Sequence, residues 1–217
     1  MELIISLDAE VMGIAARSLQ ISLTSTALAA ALCLPLASAI HFTRFRGKRL
    51  LLNLLQAAYG VPTVAIGLFV FALFSSAGPL GGLGLLFGPA AMVIGQMLLI
   101  APILTGLTVS ALRGIDPALA DTARSLGASR LQTAGLVLRE ARFGVVAAVV
   151  MAFGRAISEV GISLLVGGNI RGFTRVLTTA IALETSRGDL EFAFALGIIL
   201  LLVALAVSLS LNRLQQR

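Results

Sequence analysis

The chain alternates long apolar stretches with short charged ones. Residues 18–43, 50–112 and 192–212 contain no Asp, Glu, Lys or Arg, and Phe143 to Ile170 is apolar apart from Arg155, Glu159 and the polar residues between and after them. A bilayer core about 30 Å thick needs roughly 20 apolar residues per helical crossing. At the helical rise, residues 50–112 would run about 95 Å, so the segment must fold back on itself. The turn falls at Gly78-Pro79-Leu80-Gly81-Gly82-Leu83-Gly84, closing with Gly88-Pro89, where glycine and proline punctuate helices. The pattern predicts an all-α polytopic membrane protein, one transmembrane domain over 1–217, with about five spans near 14–41, 51–75, 90–112, 142–166 and 191–211 and a loop at 113–140. Val176 to Leu183 is apolar but too short to cross. It is either a short helix dipping into the outer side of the bundle or one resting on the bilayer surface.

Composition agrees. Of 217 residues 58% are hydrophobic and 12% charged, with a mean hydropathy of +1.02, where soluble domains are about 25% charged. A net charge of +6 would suit nucleic acid, but the apolar bulk assigns that charge to a membrane. Five spans put the termini on opposite sides. Arg44, Arg46, Lys48 and Arg49 follow span one, Arg113, Arg124, Arg130, Arg139 and Arg142 follow span three, and Arg213 and Arg217 lie in the tail. All fall on one side. The opposite face has Arg171, Arg175 and Arg187 after span four and no basic residue in the 76–89 turn. The positive-inside rule predicts a multi-pass protein of the cell membrane with its N-terminus outside and C-terminus cytoplasmic. Glu2, Asp8 and Glu10 make the N-region acidic, against a cleaved signal peptide. The lone Cys33 excludes an internal disulfide.

Several chemistries are missing. The only lysine lies in Arg46-Gly47-Lys48-Arg49, without the glycines or following Ser/Thr of a phosphate-binding loop, so ATP hydrolysis by that route is excluded. One histidine, His41, leaves no metalloprotease motif or Cys/His cluster. Ser158 has no histidine to act as base. These absences predict a chain that is not an enzyme and holds no metal or cofactor of its own.

Two regions carry the remaining information. In the 113–140 loop, Asp116 is a helix N-cap with Pro117 at the first helical position, and Gly127 ends a short amphipathic helix running from Pro117 to Leu126. That helix is either a lever for a partner or a connector lying on the membrane. In span four, Ala147, Met151, Gly154, Ser158 and Gly161 share one face, and Arg155 and Glu159 are four apart on an adjacent one. The strip either lines a conduit, with Arg155 or Ser158 donating to a passing anion, or contains an ion pair that locks helix packing. After it, Asn169, Thr174, Thr178 and Thr179 supply neutral donors, which suit transit better than a cationic trap.

Asp121-Thr122-Ala123-Arg124-Ser125-Leu126-Gly127 resembles the Glu-Ala-Ala-x-x-x-Gly loop of ABC importer permeases. Here Asp121 replaces the Glu, Thr122 the first Ala, and Val137-Leu138-Arg139-Glu140 stands where the family's Leu-Pro ending would be. Gly154-Arg155-Ala156-Ile157-Ser158-Glu159-Val160-Gly161 and the stretch from Val166 to Thr185 resemble the permeases of the molybdate/tungstate branch, tungstate importers in particular. The resemblance implies a type I importer fold and a coupling helix seated in a separate ATPase. Asp116, Leu119, Ala120, Asp121, Thr122, Ala123, Arg124, Ser125, Leu126, Gly127 and Ala128 would form that contact. Gly154, Arg155, Ser158, Glu159, Gly161, Asn169, Thr174 and Thr178 would form the pathway or gate. Further implications are a second copy of the chain, cytoplasmic ABC ATPase subunits holding ATP and Mg, an extracytoplasmic tungstate-binding protein, and membrane lipid around the bundle. The alternatives are a permease for molybdate or another oxyanion, a self-sufficient channel or carrier, and a non-transporting scaffold.

Overall fold

A computed structural model describes residues 9–215; Glu2, Asp8 and Arg217, and the side chain of Arg213, lie outside the described residues. Helix α1 (Ala9–Phe42) is 34 residues long and keeps Pro35 inside it, as membrane helices can when neighbours satisfy the freed carbonyl. Its buried positions Ile21, Ser25, Ala29 and Cys33 recur every four residues and lie against α4 (Pro89–Arg113). Between these two helices Ser25 Oγ donates to Gln96 Oε1 at 2.7 Å. This buried bond satisfies two polar groups that the surrounding hydrocarbon could not.

The second apolar stretch is broken rather than continuous from 51 to 75. Helix α2 (Lys48–Ala57) runs into a 3-10 turn (Ala58–Gly60), and α3 (Thr63–Phe74) leaves at 98° to it. Pro62 has no N–H to give a helix and forces Val61 into extended backbone (φ −64°, ψ 130°). The fourth stretch is also bent, by 57°, between α7 (Arg142–Ile157) and α8 (Gly161–Gly167). Among the described residues three unbroken helices are long and apolar enough to cross a membrane, and counting each bent pair as one span makes five.

The core lies where α8 wedges between α3 and α4. Val70, Met92, Ile100, Leu104, Ile162 and Val166 are fully buried there. A Cβ on Gly95 would come within 2.4 Å of Ile162 Cγ2, so only glycine lets α8 approach α4 this closely. Outward-facing Leu32, Leu68, Phe69, Phe194 and Leu201 remain exposed on the bundle surface, an apolar belt suited to acyl chains.

The short apolar segment is helix α9 (Leu177–Arg187), longer than the sequence pattern indicated. Leu177 and Ala180 are buried with Val11 and Ile14 of α1 and Leu196 of α10 (Leu190–Gln215), so α9 packs into the bundle. Its first N–H, on Leu177, donates to Ser18 Oγ at 2.7 Å. Between α4 and α7 the chain forms two helices, α5 (Pro117–Ser125) and α6 (Arg130–Glu140), not the single one expected.

Candidate functional site

Helix α5 forms for local reasons. Asp116 accepts from the Ala118 N–H at 2.9 Å, capping a helix whose first residue, Pro117, has no donor to lose. At the far end the Ala128 N–H reaches Ala123 O and the Gly127 N–H reaches Arg124 O, the two bonds of a Schellman stop. They require the positive φ of +85° that Gly127 adopts. Ala123 is buried, Leu119 and Ala120 half-buried, and Asp121, Thr122, Arg124, Ser125 and Leu126 exposed. Asp121 pairs with Arg124 at 3.0 Å on the open surface, so the expected acidic contact is already engaged with a neighbour on its own helix.

Helix α6 was not anticipated, although its signal is present. Ser129 and Gln132 form a reciprocal capping box, Gln132 N to Ser129 Oγ at 3.3 Å and Ser129 N to Gln132 Oε1 at 2.8 Å. Thus α5 and α6 make a helical hairpin with Leu126 and Leu131 at its tip, 83% and 86% exposed. Replacing Ser129 by alanine should weaken the start of α6 by about 1 kcal/mol. Amide exchange at Gln132 and Thr133 should quicken while the global melting temperature holds; unchanged exchange would remove the cap from this account.

The wall centres on the break between α7 and α8. Glu159 is 2% exposed. One carboxylate oxygen accepts from Arg155 Nη1 at 3.0 Å, and the other from the Ile162 N–H at 3.0 Å, which caps α8. Its carbonyl accepts from Thr178 Oγ1 of α9 at 2.8 Å. Glu159 therefore fastens α7, α8 and α9 at one point. Gly161 beside it faces Thr63 and Val64 of α3 at close range. The other face of α7 is open: Met151, Gly154 and Ser158 are exposed, and nothing approaches within 4 Å of where a Cβ on Gly154 would stand. Ser158 Oγ donates to Arg155 O at 3.2 Å, and Arg155 itself is part-exposed at the edge of this strip.

The outer donors are mostly engaged. Thr174 is fully buried, accepting from the Ile170 N–H at 3.0 Å and donating to Gly167 O. Thr178 donates to Glu159, and Thr179 Oγ1 accepts from the Val176 N–H at 3.1 Å and donates to Val176 O at 3.1 Å. Asn169, at φ +50°, sends Nδ2 to Thr179 O at 3.4 Å while its Oδ1 is buried without a hydrogen-bond partner. The structure thus places Gly154, Ser158 and Arg155 on an open face, and gives Thr174 and Thr178 bonds within the chain. An ion network close by had no sequence signal for its long link, because Glu10 and Arg171 are 161 positions apart in the chain. Glu10 of α1 pairs with Arg171 and lies 3.8 Å from Arg175, Arg175 lies 3.8 Å from Glu184, and Arg187 pairs with Glu184 at 3.2 Å. Arg17 Nε adds a bond to Arg175 O at 3.2 Å, tying α1 to the 168–176 segment.

Residues 17–217 match the profile of the family described as "Binding-protein-dependent transport system inner membrane component". The chain is 42% identical over 216 residues to the tungstate uptake system permease protein TupB of Peptoclostridium acidaminophilum, covering 100% of this chain and 95% of that one. It is 44% identical over 200 residues to a probable anion ABC transporter permease protein of Haloferax volcanii, covering 90% and 86%. Among solved structures it is similar to a bacterial alginate ABC transporter in complex with alginate pentasaccharide-bound periplasmic protein, with TM-score 0.78 and 20% identity, covering 97% of this chain and 80% of that one. The inward-facing MetNI methionine ABC transporter gives TM-score 0.73 at 16% identity, covering 95% and 94%. The two structures share the fold.

Proposed function

Because this chain belongs to the family of binding-protein-dependent transport system inner membrane components, we propose that it is the permease through which a tetrahedral oxyanion, tungstate, enters the cell. It is a helical membrane component of an ABC importer and is not itself an enzyme. The observation that carries the choice of anion is the 42% identity, over the whole of this chain, to a permease named for tungstate uptake. The physics is compatible. A dianion cannot enter hydrocarbon, so it needs a polar path and an external energy source.

In this reading two copies of the chain face each other across the open strip of α7, since one bundle leaves Met151, Gly154 and Ser158 uncovered. Arg155 and Ser158 stand at the edge of the path and Asn169 contributes to it, while Glu159, Gly161, Thr174 and Thr178 hold the wall in shape. The α5 arm of the α5–α6 hairpin, from Asp116 to Ala128, docks on cytoplasmic ATPase subunits that bind ATP and Mg. A binding protein delivers the anion from outside, lipid surrounds the apolar belt, the N-terminus is outside and the C-terminus cytoplasmic.

The test is uptake by the chain reconstituted with its ATPase and binding protein. Tungstate uptake should require ATP and all components, and should resist competition from excess sulfate. Preference for molybdate would reassign the substrate, and uptake by the chain alone would end the coupled reading. Because Arg155→Ala would strand the buried Glu159 carboxylate, the test is Arg155→Gln on a Glu159→Gln background, which should lower uptake about tenfold relative to Glu159→Gln alone if Arg155 donates to the anion, as expected for a lost charge-assisted hydrogen bond of about 1.5 kcal/mol. Uptake equal to that of Glu159→Gln would leave Arg155 as Glu159's partner only.

A further inference from the structure

Away from the open strip, the end of α1, the start of α2 and the end of α4 meet. Ala37 and Ile40 of α1, Leu52 of α2 and Val109 of α4 form a small buried cluster there. Lys48 Nζ donates to His41 O at 2.7 Å and Thr43 O at 3.0 Å, closing the α1–α2 turn. Beside this cluster lies a cleft of about 410 Å³ lined by Lys48, Arg49, Leu52, Asn53, Gln56 and Arg113.

The cleft gathers three cations and two neutral amides with no carboxylate. Ion pairs among the described residues lie elsewhere, and none includes Lys48, Arg49 or Arg113. Lys48 and Arg49 occupy the first turn of α2, where the helix dipole already presents its positive end, and Gly47 supplies no side-chain cap. The arrangement is electrostatically unfavourable until an anion enters it. A second feature selects the anion. Arg49, Asn53 and Gln56 are spaced to share one face of α2, and the exposed Leu50 and Leu54 run alongside on the neighbouring face. A polar stripe for a headgroup thus lies beside an apolar stripe for a chain, where a small inorganic anion would need only the first.

We propose that this cleft is a binding site for the phosphate headgroup of an anionic phospholipid, whose acyl chain lies along Leu50 and Leu54. Lys48, Arg49 and Arg113 neutralise the phosphate, while Asn53 and Gln56 donate to its oxygens or to a glycerol headgroup. The site would fasten the α1–α2 turn and the end of α4 to the bilayer surface, at the root of the segment that leads to α5. The proposal rests on the membrane embedding of the chain and is independent of which anion is transported, so its failure would leave the tungstate reading standing.

The experiment uses the full chain in nanodiscs of phosphatidylcholine and phosphatidylglycerol, with lipids retained on the protein counted by native mass spectrometry after transfer to detergent. The wild-type chain should retain phosphatidylglycerol in excess. Arg49→Gln and Arg113→Gln should each reduce that excess roughly fivefold, the effect of about 1 kcal/mol per basic residue near a charged bilayer. Arg49→Lys should preserve it, Arg139→Gln outside the cleft should leave it unchanged, and a large excess of inorganic phosphate should not displace the lipid. Equal losses in Arg139→Gln and Arg49→Gln would mean diffuse surface charge and overturn the proposal. Displacement by phosphate would overturn it in favour of a free-anion site. Should Arg49→Gln fail to fold, Arg113→Gln carries the same test.

Discussion

Replacing Glu159 by alanine should destabilise the protein by about 3 kcal/mol, enough to collapse its folded yield, because its carboxylate ties α7 to α8. The substitution strands Arg155, whose guanidinium lies 3.0 Å from the carboxylate, and leaves the Ile162 N–H at the head of α8 without its acceptor. Arg155 is part-exposed and can recover some hydration, which holds the effect below that of a fully buried pair. Glu159→Gln separates the two losses. The amide oxygen can still cap α8, so this variant should lose only about 1–2 kcal/mol and remain assembled. Melting of the purified protein in detergent measures both. If Glu159→Ala melts with the wild type, the carboxylate is not what holds the bend, and α8 must be fixed by its apolar contacts alone.

The sequence carried the scaffold further than the site. Uncharged runs located the long helices because hydrocarbon admits so few charged residues, and Gly78-Pro79 placed the turn between α3 and α4. The break at Val61-Pro62 was equally legible, since proline excludes a continuous helix; it was hidden by reading 51–75 on hydropathy alone. The bend at 158–160 has no such marker. It follows from where the Glu159 carboxylate is spent, on the Ile162 N–H and on Arg155, and an i, i+4 spacing reveals only the second bond. The same limit applies to Thr174 and Thr178. Composition offers them as donors facing a path, while the folded chain uses their hydroxyls on Gly167 and Glu159. Short local motifs fared better, with Asp116-Pro117 and Gly127 bounding α5 to within a residue. Ser129-x-x-Gln132 would have revealed α6 by the same logic.

Substituting aspartate for both Leu126 and Leu131 should abolish ATP-driven uptake without harming the fold. At 83% and 86% exposure these side chains contribute almost nothing to the isolated chain, so the double variant should melt like the wild type. They stand at the tip of a hairpin stiffened by a Schellman stop on one side and a capping box on the other. A surface held that rigidly loses little conformational entropy when a partner covers it. Burial of a leucine against a partner is worth about 1.5–3 kcal/mol. Losing both therefore removes at least about 3 kcal/mol, roughly a hundredfold in affinity for the ATPase, before the cost of burying two carboxylates is counted. Co-purification of the ATPase should fail and tungstate uptake should fall by about two orders of magnitude. If the hairpin is only a connector lying on the membrane, uptake and co-purification would both survive the change. A loss of uptake with the ATPase still bound would place the defect in force transmission rather than docking, since α5 and α6 lead directly into α4 and α7, the helices that carry the cleft and the open wall.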